Sequence, residues 1–434
     1  PCKVRVKSVW VAGDQSAPCF FVPFVVKKNG DPMSLVAPQI AEFQKSSSWI
    51  RRMFEAGIEL KKKYGADNVY DFSLGSPDLT PHDAIIDAIR DLPEQLRRPA
   101  GLGYMPNAGY PEARAALAAW LSEDQGVAIK AEHLIITVGA AGGLNALFHA
   151  ILTPGEEVIC PAPYFVEYGF YCGNHGGILK PVKSKPLTFQ LDLEGIAAAI
   201  TDKTRAILIN SPNNPSGVIY TADELQQLAD ILTRATQKHG RPIFLISDEP
   251  YRFLTFDGGN LPSIFNFYPY SVIVSSFSKN LALAGERIGY VAVNPVLQDA
   301  AELVGGLIFS NRVLGYVNAP CIGQKIMTAC VAQATKLAQP QFAVYAERRK
   351  LMAEVLEAAN IEFQLPAGTF YFFPKVPHGL DDVTFINRLQ QERILAVPGS
   401  GFGYPGFFRI ALCVDKKFIT AAKPGFIKAA AKVC

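Results

Sequence analysis

Ser275-Ser276-Phe277-Ser278-Lys279-Asn280-Leu281-Ala282-Leu283-Ala284-Gly285-Glu286-Arg287-Ile288-Gly289 follows the apolar segment Val272-Ile273-Val274. It puts a lysine just past a strand-like run, among small hydroxylated residues, with a second cation eight positions on. Lysine is uncommon in such a place because burying an ammonium is costly. An amine held there can form a covalent imine with an aldehyde cofactor, and a nearby cation helps keep it unprotonated and nucleophilic. The alternative is a strand-end lysine whose ammonium reaches back to water.

Outward from this stretch, apolar runs alternate with helical patterns. Leu134–Val138, Glu157–Cys160, Ala206–Ile209, Ile243–Ile246, Val272–Val274 and Gly289–Val293 read as strands. Helices are expected from about Gly143 and over Ala222–Leu232. Continuous apolar strands alternating with helices predict an α/β fold with a mostly parallel sheet covered on both faces. Upstream, Ala41–Tyr64 reads as one amphipathic helix ending at Gly65, Tyr70–Leu74 as a short strand, and Asp83–Leu92 and Pro111–Trp120 as helices. Beyond Pro320 a long helical stretch to about Leu356, the runs Phe370–Pro374 and Phe407–Leu412 and a terminal helix predict a smaller α+β unit.

In parallel sheets ligands bind beyond the carboxyl ends of the strands. Asp248 ends one run, Asn214 follows another, Lys279 follows a third, and the turn Gly139-Ala140-Ala141-Gly142-Gly143 follows Val138 and opens a helix. Small residues at that turn let backbone N–H groups approach an anion at a helix N-terminus; a plain tight turn is the alternative. Neither GxGxxG nor a Walker lysine is present there. Ser276 and Arg287 are candidate phosphate contacts. Arg409, inside an apolar strand, requires a partner: a substrate carboxylate or a structural acid. Asp248 suits pairing with a pyridine nitrogen, or alternatively a helix N-cap. Together the parts fit pyridoxal phosphate.

Composition narrows the classes. The chain has 434 residues, 49% hydrophobic and 19% charged, with a formal net charge of +3. No basic stripe favours nucleic acid, and no apolar run approaches the ~20 residues of a membrane span. The eight cysteines (2, 19, 160, 172, 321, 330, 413 and 434) form no CxxC pair and no cluster with metal-ligand spacing, so neither zinc nor a disulfide framework is expected. Asp14, Pro18 and Pro23 interrupt the early apolar stretch, unlike a secretory signal with its unbroken core of ~7–15 residues. A cytoplasmic protein with an N-terminal extension over 1–32 is expected.

Ser276–Gly289, Asn210-Ser211-Pro212-Asn213-Asn214-Pro215-Ser216-Gly217 and Ser247-Asp248-Glu249-Pro250-Tyr251 together resemble the class I/II aminotransferases, the aspartate aminotransferase superfamily, from about Asp71 to the C-terminus. The resemblance implies a seven-stranded large domain over 75–315, and a smaller domain built from 316–434 and part of an N-terminal arm over 33–74. It implies transfer of an amino group between an L-amino acid, of the aspartate, alanine or aromatic class, and a 2-oxo acid. Lys279 would hold the cofactor and move the proton; Asp248 would pair with the pyridine nitrogen. Tyr251 and Asn214 would bond the ring hydroxyl. Gly139, Ala140, Ala141, Ser276 and Arg287 would hold the phosphate, and Phe165 would stack on the ring unless it is only core. Arg409 would clamp the α-carboxylate beside Gly75, and Tyr104 would reach the phosphate of a neighbouring subunit, implying a homodimer with shared sites. Three positions depart from many relatives: Ala140 and Ala141 replace hydroxyl or amide residues, and Phe165 stands where tryptophan is common. Arg312 is a candidate reader of a second substrate carboxylate. A lyase on the same fold and a non-enzymatic cofactor-binding regulator are the rival readings.

Overall fold

The computed structural model describes residues 35–46, 49–258 and 261–432. The expected extension over 1–32 lies outside them. Two compact units are distinguished, one ending at Ser46 and one beginning at Ser47. Within the described residues the first contains the helix Pro38–Ser46. The helix expected over 41–64 is therefore two helices, the second being Trp49–Tyr64.

Among the described residues the second unit holds twelve strands. They are β1 (Tyr70–Asp71), β2 (Leu134–Val138), β3 (Glu157–Ala162), β4 (Ile178–Lys183), β5 (Thr204–Asn210) and β6 (Phe244–Asp248), then β7 (Ser271–Ser276), β8 (Ile288–Val293), β9 (Tyr371–Phe372), β10 (Ile394–Leu395), β11 (Val397–Pro398) and β12 (Phe408–Ala411). Seven form the main sheet in the order β2-β8-β7-β6-β5-β3-β4. All of its pairings are parallel except the two made by β8. The mostly parallel α/β sheet is as expected. Alternate residues of each strand feed two apolar cores: Leu134, Ile207 and Ile273 on one face, Ile135, Leu208 and Val274 on the other. Burial on both faces explains the unbroken apolar runs.

Helix ends follow local chemistry. Thr221 and Glu224 form a capping box at the start of Ala222–His239, and Gly240 closes it in the left-handed region. Pro111 begins the helix Pro111–Gln125 at a position where its missing N–H costs nothing. Towards the C-terminus β12 pairs antiparallel with β11 and β9, while β1 pairs parallel with β10. That last pairing ties the chain near Tyr70 to segments more than three hundred residues later.

The reversed β8 positions the site. Its first residues lie at the same sheet edge as the carboxyl ends of its neighbours: Ile288 pairs with Val138, Gly289 with Ser276. Arg287, just before β8, is thereby delivered to the edge that carries Gly139, Asp248 and Lys279.

Candidate active site

At that edge lies a cavity of about 390 Å³, within the usual range for small-molecule sites. Gly75, Ala140, Ala141, Phe165, Asn214, Asp248, Tyr251, Ser276, Lys279, Arg287 and Arg409 all line it. Gly139 abuts it through Arg287. Its φ of +64° is one that side chains rarely adopt, and a β-carbon there would stand 2.8 Å from the Arg287 guanidinium. The Gly139 N–H donates to the Arg287 carbonyl at 2.9 Å, and the Thr137 hydroxyl donates to the Gly139 carbonyl. The turn is thus held open-faced at the N-terminus of the helix Gly139–Ile151, where positive potential favours an anion.

Lys279 donates from Nζ to the Gly75 carbonyl at 2.8 Å. Burial lowers the pKa of its ammonium; the Cys413 thiol opposes that fall, while Arg409 and Arg287 add to it. The amine is therefore biased towards its neutral, nucleophilic form. Gly75 must be glycine here, because any side chain would overlap the Tyr371 hydroxyl.

Asp248 ends β6 and caps no helix. One carboxylate oxygen accepts from the Tyr168 hydroxyl at 2.5 Å; the other, Oδ1, is buried without a partner. Burial pushes this carboxyl up to about 7, with the Tyr168 hydrogen bond working against the rise and Glu249 adding to it. A carboxylate left half-satisfied on a cavity wall awaits a donor.

Arg409 is 2% exposed, and among the described residues no carboxylate bonds it. Its guanidinium donates to Asn214 Oδ1 at 3.1 Å and to the Ser73 carbonyl at 2.7 Å, between the rings of Tyr371 and Phe402. Nε has no partner. The structural acid considered as its partner is replaced by amide and carbonyl oxygens, which leaves a positive charge available to a ligand. Asn214 is itself held by its backbone N–H, which donates to Asn210 Oδ1 at 2.6 Å; Asn210 in turn donates to the Asp248 carbonyl. The Tyr251 hydroxyl meets that of Tyr371 at 3.1 Å. Phe165 stands edge-on to Tyr168, with ring centres 5.6 Å apart.

Two candidates lie elsewhere. Tyr104 is 94% exposed and absent from the cavity wall. Arg312, in the last turn of the helix Ala300–Val313, is also exposed and outside the cavity. The sequence reading missed Glu167, Tyr168, Tyr171 and Tyr371, which line the cavity. Tyr371 sits in a run that reads as core. Tyr168 follows Phe165 by three residues, a spacing that a helix start would bring to one side.

The fold and this cavity define a cofactor-dependent group-transfer enzyme, and comparison gives its family. Residues 67–422 match the family model for aminotransferase class I and II, and the chain belongs to that family. It is 32% identical over 379 residues to a probable aspartate/prephenate aminotransferase of Aquifex aeolicus, covering 83% of this chain and 90% of that protein. It is 31% identical to an aspartate aminotransferase of Bacillus subtilis, covering 83% and 91%. Among solved structures, an aminotransferase from Eubacterium rectale superposes with a TM-score of 0.86 at 36% identity, covering 91% of this chain and 98% of that one. The aspartate aminotransferase of Thermus thermophilus, solved with maleate, gives 0.81 at 28%, covering 92% and 100%. The chain is an aminotransferase that depends on pyridoxal phosphate. The names of these relatives do not favour the lyase reading. The residues present fit the cofactor: a buried neutral-leaning lysine, an unpartnered carboxylate oxygen and an open helix N-terminus flanked by an arginine face one cavity. Among the described residues no group of His, Cys, Asp and Glu could hold a metal ion, and no helix is long and apolar enough to cross a membrane.

Proposed function

We propose that the chain moves an amino group between an L-amino acid of the aspartate, alanine or aromatic class and a 2-oxo acid, in the cytoplasm and as a homodimer with shared sites. The observation that carries the site assignment is the shared cavity of Lys279, Arg409 and the unpartnered Oδ1 of Asp248. Pyridoxal phosphate supplies an aldehyde to hold the amino group and a ring that accepts the electron pair released at the substrate α-carbon. Every other task falls to the protein. Lys279 Nζ anchors the cofactor and moves the proton between the substrate α-carbon and the cofactor carbon; a lowered pKa suits a general base working near neutrality. Asp248 Oδ1 accepts the ring N–H and keeps it protonated. The N–H groups of Gly139, Ala140 and Ala141, with Ser276 and Arg287, hold the phosphate. Phe165 covers one ring face, and Tyr251 and Asn214 hold the ring hydroxyl. Arg409 holds the α-carboxylate beside Gly75, with Asn214 setting the guanidinium plane.

Tyr104 and Arg312 lie outside this chain's cavity, and on this reading they serve the site of a second copy. Residues 75–315 form the cofactor-binding domain, and 316–434 with part of 33–74 the smaller one; the β1–β10 pairing supports that grouping.

The test uses purified, cofactor-loaded protein with single amino acids, following the change in cofactor absorbance. Conversion by at least one amino acid is expected, and no conversion by any would sink the proposal. Lys279→Ala should abolish turnover, and retained turnover would refute its role.

A further inference from the structure

Tyr371 touches three groups to which the proposed reaction gives tasks or a place. It opens β9, pairs there with Ala411 of β12, and is 2% exposed on the cavity wall. Its hydroxyl meets that of Tyr251 at 3.1 Å, with the rings edge to face and their centres 5.7 Å apart. The same hydroxyl lies against Gly75, whose carbonyl accepts from Lys279 at 2.8 Å. The guanidinium of Arg409 lies over its ring, 4.7 Å from the centre. Tyr251 is placed at the cofactor's ring oxygen, and Arg409 and Gly75 at the substrate carboxylate. A side chain that only filled the core would need no hydroxyl here, and phenylalanine, as at Phe370 and Phe372 on either side, would serve.

Two hydroxyls in contact carry two protons, and only one proton lies between the oxygens. In the pair alone either oxygen can donate, and among the described residues neither hydroxyl has another hydrogen-bond partner. The bound cofactor decides the direction. If Tyr251 donated to Tyr371, it would keep no proton for the ring oxygen, and the Tyr371 proton would face no acceptor. If Tyr371 donates, Tyr251 accepts one proton and gives its own to the ring oxygen. Only the second arrangement satisfies every donor. Both phenols hold their protons through the neutral range: burial pushes Tyr371 up to about 12 and lifts Tyr251 well above its ordinary value. Around Tyr371, Arg409 and the contact with Tyr251 oppose the rise, while Cys413 and Glu167 add to it. Hydrogen bonds in a chain polarise one another, so donation by Tyr371 strengthens donation by Tyr251.

We propose that Tyr371 is a positioning residue that donates its hydroxyl proton to Tyr251 and thereby aims the Tyr251 hydroxyl at the cofactor's ring oxygen. This deepens the proposed aminotransfer reading and rests on its placing Tyr251 at that oxygen. Donation along this chain stabilises negative charge on the ring oxygen, so the proton shared between that oxygen and the Lys279 nitrogen leaves at lower pH.

The test titrates the absorbance of full-length, cofactor-loaded protein against pH, without substrate. In Tyr371→Phe, which keeps the ring and loses only the hydroxyl, the midpoint should rise by about 0.3–1 pH unit, the size of one neutral hydrogen bond. Replacement of Tyr371 by 3-fluorotyrosine, a more acidic phenol and a stronger donor, should lower the midpoint. In a Tyr251→Phe background, Tyr371→Phe should add no further shift, because the two hydroxyls act as one unit. A midpoint unchanged or lowered in Tyr371→Phe, unchanged or raised by the fluorotyrosine, or shifted equally in both backgrounds would each overturn the inference. A midpoint unmoved by Tyr251→Phe would strike the placement of Tyr251 at the ring and the inference with it. A shift in Tyr251→Phe with none in Tyr371→Phe would strike the inference alone.

Discussion

At the scale of single residues, Asp248 shows how burial and function meet. Its carboxyl is 6% exposed and pushed up from 3.8 to about 7 by burial. Below about pH 4 the folded and unfolded chains both hold the proton, and Asp248 costs the fold nothing. As pH rises towards 7 the unfolded chain ionises freely while the folded one keeps its proton, so the cofactor-free protein loses stability. At about 1.36 kcal/mol per pKa unit the loss reaches at most about 4 kcal/mol. Asp248→Asn lacks this titration. Thermal unfolding of the two cofactor-free proteins should therefore diverge between pH 4 and 7, the variant gaining on wild type. A constant difference across that range would show that burial does not govern this carboxyl. Asp248, Lys279 and Arg409 were legible in the sequence because each is an ionisable group at an apolar strand or its end. Glu167 and Tyr168 were not, because a glutamate and a tyrosine at a helix start are ordinary surface and core choices.

At the scale of elements, legibility followed burial. β2, β3, β5, β6, β7 and β8 are covered on both faces and read as apolar runs. β4 did not, since it is a half-exposed edge strand with solvent-exposed residues interspersed and forms no unbroken apolar run. The two-residue strands β10 and β11 are too short for any period to show, whereas β1 and β9 fall within the expected runs Tyr70–Leu74 and Phe370–Pro374. The strand-to-helix turn at Gly139 was visible as a glycine-rich break, but the reason for glycine was not. Both its φ of +64° and the Arg287 guanidinium 2.8 Å from a prospective β-carbon exclude a side chain. Gly139→Ala should therefore destabilise the fold by about 1–2 kcal/mol and displace Arg287. Equilibrium dialysis should show cofactor affinity falling by about tenfold or more, the loss of one charge-assisted contact. Unchanged affinity would remove this turn from the phosphate site.

At the scale of the whole molecule, the site depends on contacts across very long sequence separations. Lys279 bonds the carbonyl of Gly75, and Arg409 bonds Asn214 and the carbonyl of Ser73. In the proposed homodimer, Tyr104 and Arg312 would extend that logic beyond one chain. Sedimentation of the purified protein at micromolar concentration should give a dimer, and Tyr104→Phe should weaken cofactor retention although Tyr104 lies outside its own chain's cavity. A fully active monomer, or retention unchanged by the variant, would remove the shared site. By itself the sequence determined the alternating α/β order and the positions of the lysine, the acid and the C-terminal-strand arginine proposed to serve cofactor and substrate. Those depend on local hydrophobic period and on charges placed where burial is costly. Only the tertiary structure decided that β8 runs backwards, bringing Arg287 to Gly139, and that Tyr371 forbids a side chain at Gly75. It alone revealed Glu167 on the cavity wall with an unpartnered oxygen. Such facts are meetings between segments far apart in sequence, and a linear pattern carries no record of which distant groups burial will bring face to face.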